Sequence, residues 1–274
     1  MTKIAKKEKE TALAVPVIEE DWERQMRERA KDVKSALTVG VPRISHKGGV
    51  LTIDKNRVKD NRLAVVVLGM TWVKEHYEHE YEEGSSDTPN CYAFGLKERG
   101  LVPFPNVPQK QADACDPCPH NQFNTATKGR GKRCQDKPRL LLLLAGDIAA
   151  RGDQPVGSVI AKAQHYQISI PATSLAAKGA EGMGLNKYVG SLGENTDHGD
   201  LTEAITEIGT EPRKEGGYFV VLKFLGKTPR EAMPYLAKRA ANVSEFLAQP
   251  FPVIAKEEQD TNNKPVKGQT KGKR

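Results

Sequence analysis

Two continuous apolar runs, residues 63–68 and 140–144, bracket the stretch that holds every cysteine of this 274-residue chain. The first run is rich in β-branched side chains (Val65, Val66, Val67) and the second is five consecutive leucines. Runs this short and this apolar read as strands buried on both faces. The 84–138 stretch between them is dense in Pro, Gly and Asn and has no apolar periodicity, so no core of its own is expected there. It reads as an insertion between two strands of one sheet, and something other than a hydrophobic core is needed to order it.

That insertion carries Cys91, the close pair Cys115 and Cys118, and Cys134. Residues 1–7 contain no apolar segment, so no signal peptide is expected, and no apolar run approaches the length of a membrane span. In the reducing cytoplasm these expectations imply, a Cys-x-x-Cys pair between two single cysteines reads as metal ligation ahead of disulfides. Cys115 and Cys118 would wrap one ion from a single turn. Cys91 and Cys134, from separate pieces of backbone, would complete a closed tetrahedral Zn(2+) site. His120 in place of one cysteine, a four-thiolate iron–sulfur cluster, disulfides and free thiols are the competing readings. Four thiolates leave no open position, so the site reads as structural and the protein as a non-enzyme. The zinc deaminase pattern fails as well, because His79 and Glu80 lack its His-x-Glu spacing. His76 and His79 are spaced for a metal on a helix, but a solvated face over Tyr77 and Tyr81 accounts for them more simply.

Outside the insertion, Trp22, Met26, Ala30, Val33 and Leu37 recur at three- and four-residue steps and predict a helix with one apolar stripe over about 19–37, after a mobile tail over 1–18. Residues 41–45 and 50–53 flank Gly48 and Gly49 and predict a hairpin. Strands are predicted at 165–170, 201–208 and 218–225, and a glycine-interrupted helical stretch at 171–192. Thr228, Pro229 and Glu231 resemble a capping box opening a helix to about 247, with Pro234 an alternative start. Residues 253–274 lose hydrophobicity and read as a disordered basic tail. The expected organisation is therefore residues 1–38 as tail and helix, 39–252 as one core with an insertion at about 73–138, and 253–274 as tail.

The net charge of +7 favours an anionic partner. Cations concentrate just before the second strand: Lys128, Arg130, Lys132, Arg133, Lys137 and Arg139 stand against Asp136 alone. Gly129 and Gly131 permit close approach of the backbone to a phosphate, although the spacing is not that of a P-loop. A solvated charge run is the plainer reading. Aromatic residues are 6% of the chain, yet seven fall between Trp72 and Phe123. Rings beside cations are what a single-stranded nucleic acid requires, with bases stacking and phosphates tracking the charge. The expected phosphate contacts are Arg43, Lys47, Lys128, Arg130, Lys132 and Arg133. The expected stacking residues are Trp72, Tyr77, Tyr92 and Phe94, with Phe123 assigned to packing of the insertion.

Residues 87–92, 111–123 and 129–134 resemble the four-cysteine motif of a group of phage and prophage proteins described as single-stranded DNA-binding. The likeness extends to residues 42–49 and 170–175, and covers about 40–225. By analogy the chain is also similar to the helix-destabilising proteins of the T-even phages. What the resemblance implies is a mainly β (α+β) fold, an OB-like barrel with an inserted zinc knuckle and flanking helices. It also implies sequence-independent binding of single-stranded DNA in the host cytoplasm during phage replication or recombination, alongside the proteins of those processes. The basic tail departs from the acidic tail usual in such proteins, which points to extra DNA contacts there rather than partner recruitment. Two other classes remain: a zinc-stapled structural or protein-interaction component that does not bind DNA, and a metal-dependent nuclease using Glu75, Glu78, Glu80 and Asp87.

Overall fold

The computed structural model describes residues 41–78, 88–127, 129–150 and 152–251, together with Met26. The expected terminal tails lie outside the described residues. So does the 19–37 helix apart from Met26, which is helical and exposed. All the others belong to one compact unit, Gly40–Arg274.

The fold is mainly β with added helices. A small antiparallel sheet is made of β1 (Ile44–Ser45), β2 (Thr52–Ile53) and β3 (Asn56–Arg57). The main sheet is built on β4 (Arg62–His76), a strand of 15 residues. Along its length β4 pairs with β6 (Gln135–Leu144), at its start with β8 (Ala204–Pro212), and at its end with β5 (Cys91–Gly95). β7 (Tyr166–Ser169) flanks β6, and β9 (Tyr218–Lys227) flanks β8. Every one of these pairings is antiparallel.

The barrel expectation is corrected: the order β7-β6-β4-β8-β9 leaves an open sheet, with no closure among the described residues. The outer strands are shielded by short pieces of chain instead of pairing with each other. Arg43 bridges Gln167 on β7, and Met183 bridges Leu222 on β9, which occupies edge groups that would otherwise invite another strand.

Both sheet faces are buried from Val65 to Leu68 and from Leu140 to Leu143, which is why those positions are apolar without alternation; Ala64, near the start of β4, is exposed. On one face Val65, Val67, Leu140, Leu142 and Ile168 pack against Leu185, Tyr188 and Leu192 of α3 (Leu185–Asn195), which follows the short α2 (Ala172–Leu175). On the other, Val66, Leu68, Leu141 and Leu143 meet Ile160 of α1 (Val156–Lys162), Leu236 of α4 (Met233–Ala240), and Val243 and Leu247 of α5 (Val243–Leu247). Leu140, Leu141, Leu142 and Leu143 are all fully buried, each worth about 1.5–3 kcal/mol of removal from water.

The register of β4 against β6 shifts between Val67 and Gly69. A bulge changes which parity of residues faces which side. Before it, even-numbered Val66 lies on the α5 face; after it, odd-numbered Thr71, Val73 and Glu75 do, opposite Arg139, Lys137 and Gln135. Gly69 sits directly under α5: a Cβ there would lie 3.0 Å from the Val243 Cγ2 atom.

Arg239 fastens α4 to the end of α1. Its guanidinium donates to the carbonyls of Ile160, Ala161 and Ala163, each at 2.8 Å, and to the His165 ring. They lie at the end of a helix, where carbonyls lack partners further along the helix, although Ile160 also accepts from the Ala163 N–H. Arg239→Met is expected to destabilise the protein by about 2–3 kcal/mol in urea unfolding, while Arg239→Lys recovers only part because it lacks the planar fork. Burial first, then Arg239, holds His165 down at about 4. The unfolded chain therefore binds a proton there more readily, and this contribution to stability declines as pH falls from the ordinary histidine value towards about 4.

Candidate nucleic-acid interface

The insertion leaves the sheet at the end of β4 and returns at the start of β6. The two strands stay paired as far as Glu75 and Gln135, so the insertion proper is narrower than the 73–138 expected, and its own strand β5 joins the same sheet. A small core does form: Ala93, Leu101 and Cys115, with Trp72 packed against them. Backbone hydrogen bonds order the remainder. Phe104 N–H donates to the Tyr92 carbonyl, Gln109 to Asn90, Cys115 to Leu101, and Cys134 to His120, at 2.8–2.9 Å. The Asn121 side-chain amide donates to the Cys115 carbonyl at 2.8 Å.

The zinc expectation is corrected. Cys91, Cys115, Cys118 and Cys134 are all free and buried, and among the described residues no group of three or more His, Cys, Asp or Glu side chains is placed to hold a metal ion. The same finding removes the iron–sulfur alternative and the reading of the insertion as a zinc knuckle. The four cysteines come together around one small cavity, which the stacked rings of His76 and His120 also line. Burial pushes Cys115 up to about 11, with Cys91 adding to the shift, and pushes Cys134 up to about 12, with Asp136 adding to it. At neutral pH these two thiols are protonated. They pack as small apolar side chains. His76 is held down at about 4, by burial first and then by His120 and Arg133.

Lys128 lies outside the described residues. The rest of the basic loop is a two-limbed turn: Asn124 N–H donates to the Arg130 carbonyl, and Thr125 and Ala126 both donate to Gly131. Arg133 N–H donates to the Thr125 hydroxyl at 3.0 Å. Gly129 has φ +78° at the tip, a conformation that excludes most side chains. Lys132 and Lys74 both bind Asp136, at 2.7 and 2.6 Å. Lys74 and Asp136 lie on the sheet face opposite Glu75, so this buried ion pair anchors the returning limb to β4. The Arg133 guanidinium donates to the Glu78 carbonyl at 2.8 Å, and Arg130 is exposed.

Phe123 projects from this turn. It is 71% exposed, with the Lys132 ammonium 5.2 Å from its ring centre. Its assignment to packing is therefore reversed. No local signal distinguished it, because a ring's exposure depends on which side of a folded loop it leaves.

The expected stacking residues lie elsewhere. Tyr92 is 2% exposed and surrounded by Phe94, Phe104 and Phe251 at 4.9–5.6 Å. Trp72 is half-buried under the insertion's small core. Tyr77 is half-buried, its hydroxyl donating to Glu75 at 3.3 Å; burial first, then Glu75, raises its pKa. Phe94 is half-buried on the α5 face of the sheet, with the Arg139 guanidinium 5.7 Å from its ring centre. There Glu75 receives Lys137 and Arg139, both at 3.2 Å. Burial opposes its ionisation, but Lys137 and Arg139 prevail and hold Glu75 below its ordinary value. Arg43, an expected phosphate contact, reaches this cluster through the Phe251 ring. Lys47 is exposed in the turn after β1 and stands apart from the loop in sequence and element.

Among the described residues no helix is long and apolar enough to cross a membrane. Comparison of the chain with protein-family models, with curated proteins and with solved structures returned no match.

Proposed function

We propose that this protein binds single-stranded DNA with little sequence preference, and that the 122–133 turn is a principal contact. The observation that carries the reading is Phe123, an exposed ring with the Lys132 ammonium against it, on a turn that also carries Arg130 and Arg133. A ring of this kind offers a π-face to any base, and the cations follow the phosphates. Lys132 is partly neutralised by Asp136, so Arg130 and Arg133 supply most of the charge. The net charge of +7 favours the same polyanionic ligand. The resemblance to phage single-stranded DNA-binding proteins fits this reading and would place the protein in phage replication or recombination in the host cytoplasm. In this proposal the open sheet does the work expected of an OB-like one, presenting loops at one end to a strand.

Fluorescence-anisotropy titration with oligo-dT, duplex and RNA oligomers at several salt concentrations tests it. Phe123→Ala should weaken oligo-dT binding by about 5- to 100-fold, the range for loss of one stacked base. Arg130→Ala and Arg133→Ala should each flatten the plot of log affinity against log salt by about 0.7. Equal or tighter binding to duplex DNA sinks the single-strand reading. A folded protein that binds no nucleic acid favours the protein-interaction alternative.

A further inference from the structure

A second ring site lies on the opposite face of the same sheet end, and the chain's own Phe251 fills it. Phe251 lies nearly parallel to Phe94, at 13° with centroids 6.1 Å apart. The guanidinium carbons of Arg139 and Arg43 lie 5.3 and 5.6 Å from its centroid. Tyr92 meets its edge at 4.9 Å. A flat ring with an aromatic ring and two guanidinium groups against it is in the kind of surroundings that an unstacked base takes when a protein holds a single strand. The charge points the same way: among the described residues Arg43, Lys137 and Arg139 converge there on one carboxylate, Glu75. Arg139 is 3% exposed, and its buried Nε has no hydrogen-bond partner among the described residues. A site built only to hold a phenylalanine needs neither surplus positive charge nor an unused buried donor.

Phe251 follows α5 through Gln249 and Pro250, both exposed, and its backbone is engaged by the Tyr92 hydroxyl. It can therefore leave without unwinding α5, whose Val243 and Leu247 are fixed in the core. A tethered ring also competes at high effective concentration, so it blocks the site until a stronger ligand arrives.

We propose that the pocket formed by Phe94, Tyr92, Arg139 and Arg43 is a base-binding site for single-stranded nucleic acid, and that Phe251 is its built-in competitor. This rests on the single-strand reading above and adds a second stacking site with an internal plug. Occupation of both sites would lead one strand from the Phe123 turn around the end of β4 to the other face.

The test uses the full chain and oligo-dT. Phe251→Ala should bind several-fold more tightly than the wild type, and Phe94→Ala should cancel that gain. Phe251→Trp supplies a direct readout that does not depend on the alanine variant folding. On saturation with oligo-dT the introduced indole should become more accessible to acrylamide, measured against wild-type protein titrated in parallel. Wild-type binding that depends on Phe123 but is unchanged or weakened in Phe251→Ala, with an indole no more accessible after saturation, overturns the plug and leaves the turn intact. No binding by any variant overturns both.

Discussion

Glu75→Gln is expected to lower stability by about 3–5 kcal/mol, the usual consequence of removing one partner from a buried ion pair. Glu75 is 4% exposed and Arg139 3%. The carboxylate is bound by Arg139 and Lys137 at 3.2 Å each and accepts from the Tyr77 hydroxyl. Glutamine keeps the shape but leaves Arg139 buried without its counter-charge. Arg139 is already held down at about 10, by burial and then by Arg43, and remains charged at neutral pH. Its second anchor, the Leu247 carbonyl at 3.2 Å, ties the network to α5, so the urea midpoint should fall and α5 amides should exchange faster. The double replacement Glu75→Leu with Arg139→Met should recover much of the loss, because an apolar pair of similar size avoids desolvating two charges. The same group sets a pH dependence. Glu75 holds its proton less tightly in the folded chain than in the unfolded one, so its contribution is complete above about 4.3 and is lost as pH falls through its lower folded value. The acid limb of the stability profile should therefore flatten in Glu75→Gln.

Asp136→Asn is expected to cost about 3 kcal/mol and to act on the proposed binding turn as well. Asp136 joins Lys74, which is 3% exposed, to Lys132 at the base of the turn. Without the carboxylate, Lys74 is a buried cation with no counter-ion, and the Lys132 ammonium near Phe123 keeps only its 3.3 Å bond to the Asn121 side-chain oxygen. Two measurements separate these effects. Urea unfolding reads the first, and Lys74→Met together with Asp136→Leu should restore most of it. Oligo-dT affinity reads the second, and that double variant should still bind less tightly than the wild type because the turn remains unanchored. Full affinity in a stable double variant would show that Lys132 and Phe123 need no such anchor.

Much of the sheet was legible from local pattern. The runs at 63–68 and 140–144 could be recognised because burial on both faces, from Val65 to Leu68 and from Leu140 to Leu143, demands apolar residues without alternation. The strands at 166–169 and 218–227 and the hairpin around Gly48 also fell where predicted. Pro234 stands in the first turn of α4, at the alternative start given for that helix. The extension of β4 to His76 was hidden because Lys74 and Glu75 are polar. They are buried only because Asp136, Lys137 and Arg139 lie opposite, some 60 residues away in sequence. The cysteine spacing was legible too, but spacing does not determine coordination. The described residues place the four thiols around one cavity without a metal-holding group, and packing and backbone hydrogen bonds order the insertion.

By itself, the sequence determined the material of the fold and of the proposed interface: the apolar strands, the cysteine-bearing insertion between them, and a basic stretch beside scattered rings. Only the tertiary structure decided which rings are accessible. The bulge between Val67 and Gly69 shifts side-chain parity along β4, putting Glu75, Phe94 and Arg139 on the α5 face and Lys74 with Asp136 on the other. The fold of the 122–133 turn carries Phe123 outward, while Tyr92 is sealed beneath Phe251. A strand's facing changes with a single residue of register, and a ring's exposure depends on partners distant in sequence, so neither is written in any local window of residues.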